Sequence, residues 1–353
     1  MRKMTTQKTA SSFLLASIAL ISISILFQQA THAKSADAKP KSQSAPPETG
    51  HVPGKGDVRK IAFPKDFSLG KLYLLPKVQY GFINEIQPFG SARGKVEVTV
   101  PPDYELFLSA SGEVIRHPEL FDSLPVDALD GIKVSALNLG EDIPSMTDQV
   151  LAHVARLTGV KRVILSRSDV TDKGLMQLAP LVNLKSIDVA MTAAEGTFLK
   201  TIANFKNIEY FSASESALKE ANLQYIRNWT KLREFDARRT HLTNHSLQYI
   251  KQCQQLQGID LGQNEGIDDS AIKDLNQFRH LIFLGIDQTH ITAKGLGELK
   301  PSALHTMITI CDTNFTKQEA HELSIKLKPM TIMLKTKHIV PDKDMARIFS
   351  PLR

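Results

Sequence analysis

Three S-x-x-K triplets, beginning at Ser68, Ser216 and Ser270, are the residues whose types and spacing could do chemistry. A serine hydroxyl near a lysine amine can act as an activated nucleophile. The supporting S-D-N and K-T-G motifs are missing from the sequence, as are H-E-x-x-H, C-x-x-C, G-x-S-x-G and the phosphate-binding glycine loop. Serine acyl transfer is therefore not expected, and we predict that the protein is not an enzyme.

Histidine and cysteine spacing provides no ligand set for a metal. His241 and His245 are four residues apart, which suits a metal only if both lie on one helix face. His241 falls in a turn before a helix, and His290 falls in the equivalent turn further along, so both are expected at the surface. Cys253 and Cys311 fall on opposite sides of different repeat units, which predicts two free thiols. We expect neither a metal nor a cofactor.

An internal repeat of about 24 residues, from residue 132 to about 335, must position all these side chains. Within each unit, apolar residues recur at positions 1, 4, 6, 11, 16, 19 and 22, and Asn, Thr or Ser occupies position 9. Successive units begin at Val160, Leu184, Ile208, Leu232, Leu256, Leu281 and His305. The unit from Leu256 has one extra residue near Glu265, and an earlier 26-residue unit begins at Val134.

This pattern, L-x-x-L-x-L-x-x-[N/T/S]-x-[I/V/L] followed by a helical half, resembles the leucine-rich repeat. The units VKRVILSRSDVTDKGLMQLAPLVN and LIFLGIDQTHITAKGLGELK are most similar to repeats of exported bacterial members of that superfamily. The resemblance implies an α/β solenoid, a leucine-rich-repeat horseshoe with a parallel concave sheet and convex helices. It does not identify a partner, because the superfamily serves many binding roles.

The spacing within a unit agrees with a coil of strand, turn and helix. Positions 4 and 6 share one face of a strand, whereas positions 16, 19 and 22 form one stripe of a helix, which only stacked neighbours can bury. Residues suited to cap the helix recur at position 12: Thr171, Thr243, Asp268, Thr292 and Thr316. Thr316 and Glu319 have the spacing of a capping box. Trp229 and Cys253, both at position 22, are expected in the core.

The candidate binding site is the strand face, formed by positions 2, 3, 5, 7 and 8 of each coil. Aromatic and arginine side chains are enriched at protein interfaces. The predicted partner-binding residues are Arg162, Arg167, Asp188, Tyr210, Arg233, Asp236, Arg238, Arg239, Asp260, Phe283 and Asp287. We expect Tyr210, Arg238, Arg239 and Phe283 to be anchors for a protein or peptide ligand. The alternative is that these charged side chains only keep a solvent-exposed sheet face soluble and bind nothing.

Two other functions stay open at the sequence level. The first is an envelope-associated structural protein that binds anionic polymer through the basic segment 34–71. The second is a polymer hydrolase that uses the solenoid as a substrate platform, although no acid–base pair can be assigned to it. The sequence also leaves the oligomeric state open.

The N-terminal residues predict export. Residues 1–33 carry Arg2, Lys3 and Lys8, then an apolar run, then small residues that allow cleavage after Ala33 or Ala38, which is the pattern of a secretory signal peptide. No membrane-spanning segment is expected after cleavage. Residues 34–60, rich in Pro, Lys and Ser, predict a disordered linker.

No 24-residue unit fits residues 61–131. Alternation through Val96, Val98 and Val100, followed by Pro101-Pro102-Asp103, predicts a β-hairpin with residues 104–108. We interpret residues 61–131 as an N-terminal cap, with an independent ligand-binding domain as the alternative. Residues 336–353 are expected to be a C-terminal tail.

The basic charge of the chain does not indicate nucleic acid. The chain carries a formal charge of +6, but residues 1–33 contribute +3 and residues 34–71 contribute +4. Residues 72–353 therefore come to −1, with arginines interleaved among acids. We expect no nucleic-acid partner.

Overall fold

The computed structural model describes residues 56–77, 86–136, 145–300, 307–311, 315–328 and 331–335. The chain divides into two compact units. Unit 1 comprises residues up to Val134 together with Arg156–Arg162, and unit 2 comprises Ser135–Ala155 and residues from Val163 onward. The predicted signal peptide, the linker up to residue 55, the tail 336–353 and residues 137–144 lie outside the described residues.

Unit 1 contains six strands in two sheets. They are β1 (Asp57–Ala62), β2 (Gly70–Pro76), β3 (Gly90–Ser91), β4 (Lys95–Val100), β5 (Tyr104–Ala110) and β6 (Gly131–Lys133). Strand β1 pairs antiparallel with β4, whereas β2 pairs antiparallel with both β3 and β5. The predicted hairpin is therefore wrong in its pairing, although both of its strands exist. Val98 and Val100 are buried in the sheet with β1, and Leu106 and Leu108 are buried in the sheet with β2, so the turn between them joins two different sheets.

The predicted linker also ends earlier than expected. Asp57–Lys60 belong to β1, because Ile61 is buried and the Arg59 guanidinium bonds Asp57 at 2.8 Å and Asp130 at 2.9 Å. Burial acts to raise the pKa of Asp130, but hydrogen bonds from Lys161, the Leu106 N–H and Arg59 bring it below its ordinary value. This buried carboxylate holds β1 in place through Arg59.

Strands β5 and β6 form a coil that the sequence pattern does not reveal. Phe107 pairs with Gly131 in a parallel ladder, one 24-residue step along the chain. Helix α1 (Gly112–Arg116) and a 3-10 helix (Pro118–Ser123) connect the two strands and bury Val114 and Phe121. The coil predicted to begin at Val134 instead has its strand at Gly131–Lys133, because Ile132 takes the buried central place.

Unit 2 is a ladder of parallel strands in chain order. After β7 (Arg162–Ile164), whose first residue falls in unit 1, come β8 (Ser186–Asp188), β9 (Tyr210–Ser212), β10 (Glu234–Asp236), β11 (Gly258–Asp260), β12 (Phe283–Gly285), β13 (Met307–Cys311) and β14 (Thr331–Lys335). From β8 to β14 each strand pairs with the next. Position 3 of one coil therefore lies beside position 3 of its neighbours.

Short helices follow the strands. They are α2 (Met146–Val154), α3 (Asp172–Leu175), α4 (Leu199–Ile202), α5 (Leu247–Ile250), α6 (Ile272–Leu275), α7 (Ala293–Leu296) and α8 (Lys317–Lys326), with 3-10 helices at Met176–Leu178, Glu220–Asn228, Asn244–Ser246 and Asp269–Ala271. All five predicted caps are confirmed, since each side chain accepts a hydrogen bond from a backbone N–H at the start of its helix. The Thr316–Glu319 capping box is also present.

The core of unit 2 follows the repeat positions. Trp229 and Cys253 are buried at position 22, and burial raises the pKa of the Cys253 thiol to about 12. The extra residue near Glu265 shifts the next apolar place to Ile267, which is fully buried. The side chain of Cys311 lies outside the described atoms, so the prediction of two free thiols is tested only at Cys253, which is free.

Position 9 holds the turn after each strand. In five coils a hydroxyl donates to the carbonyl oxygen three residues earlier, at 2.6–2.8 Å: Ser168, Thr192, Ser216, Thr240 and Thr289. In the sixth coil Asn264 takes this place and also accepts hydrogen bonds from the Thr240 and Leu242 N–H groups of the preceding coil. Position 9 therefore satisfies backbone groups of the turn in each of these coils.

Candidate functional site

Side chains on the strand face of unit 2 form two parallel rows. The row at position 3 runs through Ser186, Tyr210, Glu234, Gly258 and Phe283, and the row at position 5 runs through Asp188, Ser212, Asp236, Asp260 and Gly285. Parallel pairing in register places equivalent residues one strand spacing apart, about 4.8 Å. The acids at position 5 are therefore near neighbours.

Several predicted partner-binding residues are buried, including two of the predicted anchors. Tyr210 is 4% exposed, Phe283 is 3% exposed and Asp287 is 5% exposed. These three residues form the floor of the strand face rather than projecting from it. Arg162, also buried, belongs to unit 1, where its guanidinium pairs with Glu105 and donates to the Pro76 carbonyl at 2.7 Å. Arg162 is therefore held in the interior of unit 1. If it turned outward to a ligand, Glu105 would be left as an unpaired buried charge.

A second group of side chains lies along a ridge at position 8. This ridge consists of Arg167, Met191, Glu215, Arg239, Gln263 and Gln288, all with φ between 53° and 59°. Their backbone is left-handed although none is glycine, and in five of them the N–H donates to the position 7 carbonyl oxygen of the next coil. Arg167 and Arg239 are exposed on this ridge, and Arg239 pairs with Glu215 at 3.1 Å. Arg233, at position 2, is half-buried beside β10.

Arg238 lies at the centre of the acidic rows. Its guanidinium contacts both carboxyl oxygens of Asp287, at 2.7 and 2.5 Å. Burial acts to lower the pKa of Arg238, but its hydrogen bond to Asp287 and the charges of Asp260, Asp287 and Asp236 raise it above its ordinary value. Arg238 therefore stays charged and neutralises one carboxylate of the group.

The neighbouring carboxyls are not neutralised in the same way. Burial raises the pKa of Glu234 to about 7. Burial, and then the charge of Asp260, raise the pKa of Asp236 to about 8, although it accepts hydrogen bonds from the Ser212 hydroxyl at 2.9 Å and the Arg238 N–H at 3.2 Å. The pKa of Tyr210 is also raised, by burial and by the nearby acids. The strand face thus concentrates carboxyl groups that change their charge around neutral pH.

Glycines make room for these charged groups. A Cβ atom at Gly285 would lie 2.5 Å from a carboxyl oxygen of Asp260, and one at Gly262 would lie 2.4 Å from the Arg238 guanidinium. Next to Glu234, Gly258 leaves the adjacent place in its row without a side chain. The predicted residues Asp188, Asp236, Arg238 and Asp260 are therefore brought together on one face.

The S-x-x-K serines have structural roles. The Ser68 hydroxyl bonds the Ser91 hydroxyl at 2.6 Å, and Ser216 fills its position 9 turn. Ser270 donates its N–H to the cap Asp268. No group of three or more His, Cys, Asp or Glu residues that could hold a metal occurs within the described part of the chain.

Glu234 belongs to the strand-face positions, at position 3 between Tyr210 and Gly258, but it was not among the predicted partner-binding residues. The available signal was the glycine one repeat later, which leaves that carboxyl without a neighbouring side chain. Among the residues that the structure describes, no helix has the length and apolar character needed to cross a bilayer.

No protein-family model and no curated protein matches the chain. A solved structure of an internalin (inlF) from Listeria monocytogenes str. 4b F2365 is similar, with 16% sequence identity and a TM-score of 0.42. The match covers 61% of this chain and 62% of the internalin chain, so it spans less than two thirds of that protein. The coil length, the parallel three-residue strands and the hydrogen-bonded position 9 of unit 2 give it the leucine-rich-repeat fold.

Proposed function

We propose that this chain is an exported, noncatalytic leucine-rich-repeat protein that binds a protein or peptide partner across the strand face of unit 2. The observation that carries the proposal is the in-register pair of rows at positions 3 and 5, with Asp188, Asp236 and Asp260 on adjacent or near-adjacent strands. A row that repeats at one strand spacing suits an extended chain, because the ligand meets equivalent groups at regular intervals. The proposal takes this face as the concave side of a horseshoe and residues 61–131 as its cap.

The predicted residues divide into three roles under this proposal. Arg167, Arg239 and Arg233 line the rim and contact the partner directly. Tyr210, Phe283 and Asp287 form the floor, and Asp188, Asp236, Arg238 and Asp260 supply charge between rim and floor. Arg162 takes no part in binding, because it is committed to Glu105 in unit 1.

Site-specific photo-crosslinking tests this proposal. A photoreactive residue is placed at Arg239 or Gln263 on the ridge, and matched variants carry it at Lys273 or Glu298 on the helical side of the coils. In cells that express the chain naturally, we expect one discrete partner polypeptide to attach from the ridge, and the substitution Arg167→Glu to reduce its yield severalfold. Equal attachment from ridge and helical positions, or no polypeptide from the ridge, would refute binding at the strand face.

A further inference from the structure

Glu234 is a buried carboxyl whose charge has no partner within the described residues. It is 9% exposed, and it accepts no hydrogen bond and joins no ion pair there. Buried carboxylates are normally hydrogen-bonded or paired, because removing an isolated charge from water is costly. Such a group is therefore suited to a partner from outside the chain.

The surroundings of Glu234 carry the same sign of charge. Asp236 lies two residues along the same strand, so both side chains point to the strand face. Asp188 and Asp260 lie in the row of Asp236, and Asp287 completes the set of five carboxyls. Among the described residues of positions 3, 5 and 7 in these coils, Arg238 is the one cation, and it is bonded to Asp287. The ridge at position 8 adds Arg239, which pairs with Glu215, and position 2 adds Arg233.

The neighbours of Glu234 in its row are a glycine and a tyrosine. Gly258 stands one strand away, and the Glu234 stem packs beside it, since a Cβ atom there would be in ordinary contact with Glu234 at 3.4 Å. On the other side Tyr210 provides a buried aromatic ring. A carboxyl beside an aromatic ring is a suitable place for a long side chain with a charged end.

We propose that this acidic cluster, formed by Tyr210, Glu234, Asp236, Gly258 and Asp260, takes a lysine or arginine side chain of the partner. This inference rests on the proposed function and names the chemistry of the bound segment. A cationic side chain would supply the hydrogen bonds and the charge that Glu234 lacks, and its stem would pack on Tyr210. Charge-assisted hydrogen bonds of this kind are about twice as strong as neutral ones.

A metal ion fits the acidic cluster less well than an amine or a guanidinium does. The described residues hold no group of three acidic or histidine ligands arranged for a metal. An ammonium or guanidinium group instead tolerates carboxylates at wider spacing, since each donor can reach a different acceptor. A basic peptide is therefore the favoured ligand.

The raised pKa values of Glu234 and Asp236 make binding of a cation dependent on pH. Both carboxyls must ionise to attract the ligand, and Asp188, Tyr210, Asp260, Arg238 and Asp287 are the titratable groups that face them. Affinity for a lysine side chain should therefore rise from pH 6 to pH 9, because the ligand stays protonated across that range while the carboxyls lose their protons.

The test uses the full chain and a fluorescein-labelled hexalysine amide as the probe, with binding followed by fluorescence anisotropy. The paired variant is Glu234→Gln with Asp236→Asn, and the control is Glu298→Gln with Glu322→Gln, which removes the same charge from exposed residues outside the strand face. We expect at least a tenfold loss of affinity in the first variant at pH 8.5 and less than a twofold change in the control.

A similar loss in both variants, or unchanged affinity in the first, would overturn the inference. Thermal unfolding of each variant ensures that a misfolded chain is not counted, and we expect the Glu234→Gln with Asp236→Asn variant to be at least as stable as the parent. A partner crosslinked from the ridge with no effect of Glu234→Gln would refute cation binding at the acidic cluster alone. If hexalysine binding depends on Glu234 but no partner is crosslinked, the proposed function is refuted instead.

Discussion

Asn264 shows how one side chain can connect two coils. Its oxygen accepts the N–H groups of Thr240 and Leu242, both at 3.0 Å, and its amide nitrogen donates to the carbonyls of Ala237 and Leu261, both at 2.9 Å. It is fully buried. The hydroxyls at position 9 of other coils bond the carbonyl of their own turn. Asn264 therefore contributes more than they do to the contact between neighbouring coils.

Replacing Asn264 is expected to destabilise the protein in proportion to the hydrogen bonds lost. Asn264→Ala leaves buried N–H and carbonyl groups without partners, each costing about 1–3 kcal/mol, so a loss of about 3 kcal/mol or more is expected. Asn264→Thr retains the bond within the turn and should lose less, and Thr289→Ala, which removes one bond, should lose about 1 kcal/mol. Urea unfolding of the three variants checks this order. It would be contradicted if Asn264→Ala were no less stable than Thr289→Ala.

The helix starts form a second connection between coils. A carboxylate near the start of one helix accepts hydrogen bonds from the cap of the next coil, as Asp148 does from Thr171 and Asp269 does from Thr292. Such carboxylates also interact favourably with the positive end of their helix. They occupy space that only glycine leaves free: a Cβ atom at Gly295 would lie 2.0 Å from Asp269.

The close contact of Gly295 with Asp269 predicts that Gly295→Ala has opposite effects on stability in the parent chain and in an Asp269→Ala variant. Gly295→Ala should destabilise the parent chain by about 1–3 kcal/mol, because the added methyl displaces the Asp269 carboxylate. In an Asp269→Ala background the same change should be neutral or stabilising, since alanine favours a helix by up to about 1 kcal/mol over glycine.

Gly112→Ala is the matched control for this cycle, because nothing lies within 4 Å of its Cβ position, and it should not destabilise the chain. The four stabilities come from chemical unfolding of the single and double variants. If Gly295→Ala lowers stability equally in both backgrounds, Asp269 is not the reason that glycine is needed at this position.

For the whole molecule, the buried acids of the strand face make stability depend on pH. The folded pKa of Glu234 is about 7 and that of Asp236 is about 8, both above the ordinary values of 4.5 and 3.8. A raised acid pKa means that the folded state holds protons more tightly than the unfolded state, so stability falls as pH rises from about 4 to about 8.

We therefore expect the free energy of unfolding to fall by a few kcal/mol between pH 5 and pH 8.5, and the Glu234→Gln with Asp236→Asn variant to lose less than half as much. Urea midpoints at both pH values measure the difference, with Glu298→Gln and Glu322→Gln as the control. The prediction is wrong if the strand-face variant and the parent lose equal stability across this range.

The repeat positions were predictable because the apolar spacing directly specifies which side chains share a buried face. The caps from Thr171 to Thr316 and the position 9 turns follow from the same frame, since their partners lie a few residues away. The pairing of β1 with β4 was not predictable, because alternation marks a strand but not its neighbour. The burial of Tyr210 and Phe283 was missed because it depends on residues one repeat away, and the Arg162–Glu105 pair because it joins residues far apart in the chain.

The left-handed residues at position 8 have a consequence for how binding specificity can change. Left-handed backbone disfavours side chains with a Cβ by roughly 1 kcal/mol, and in five of these six residues it is held by the bond from the N–H to the next coil. The direction in which each side chain leaves the backbone is thus set by the ladder, whichever residue occupies the site. Arginine, methionine, glutamate and glutamine already share this geometry, so the ridge can exchange one chemistry for another by single substitutions while the coils beneath it stay the same.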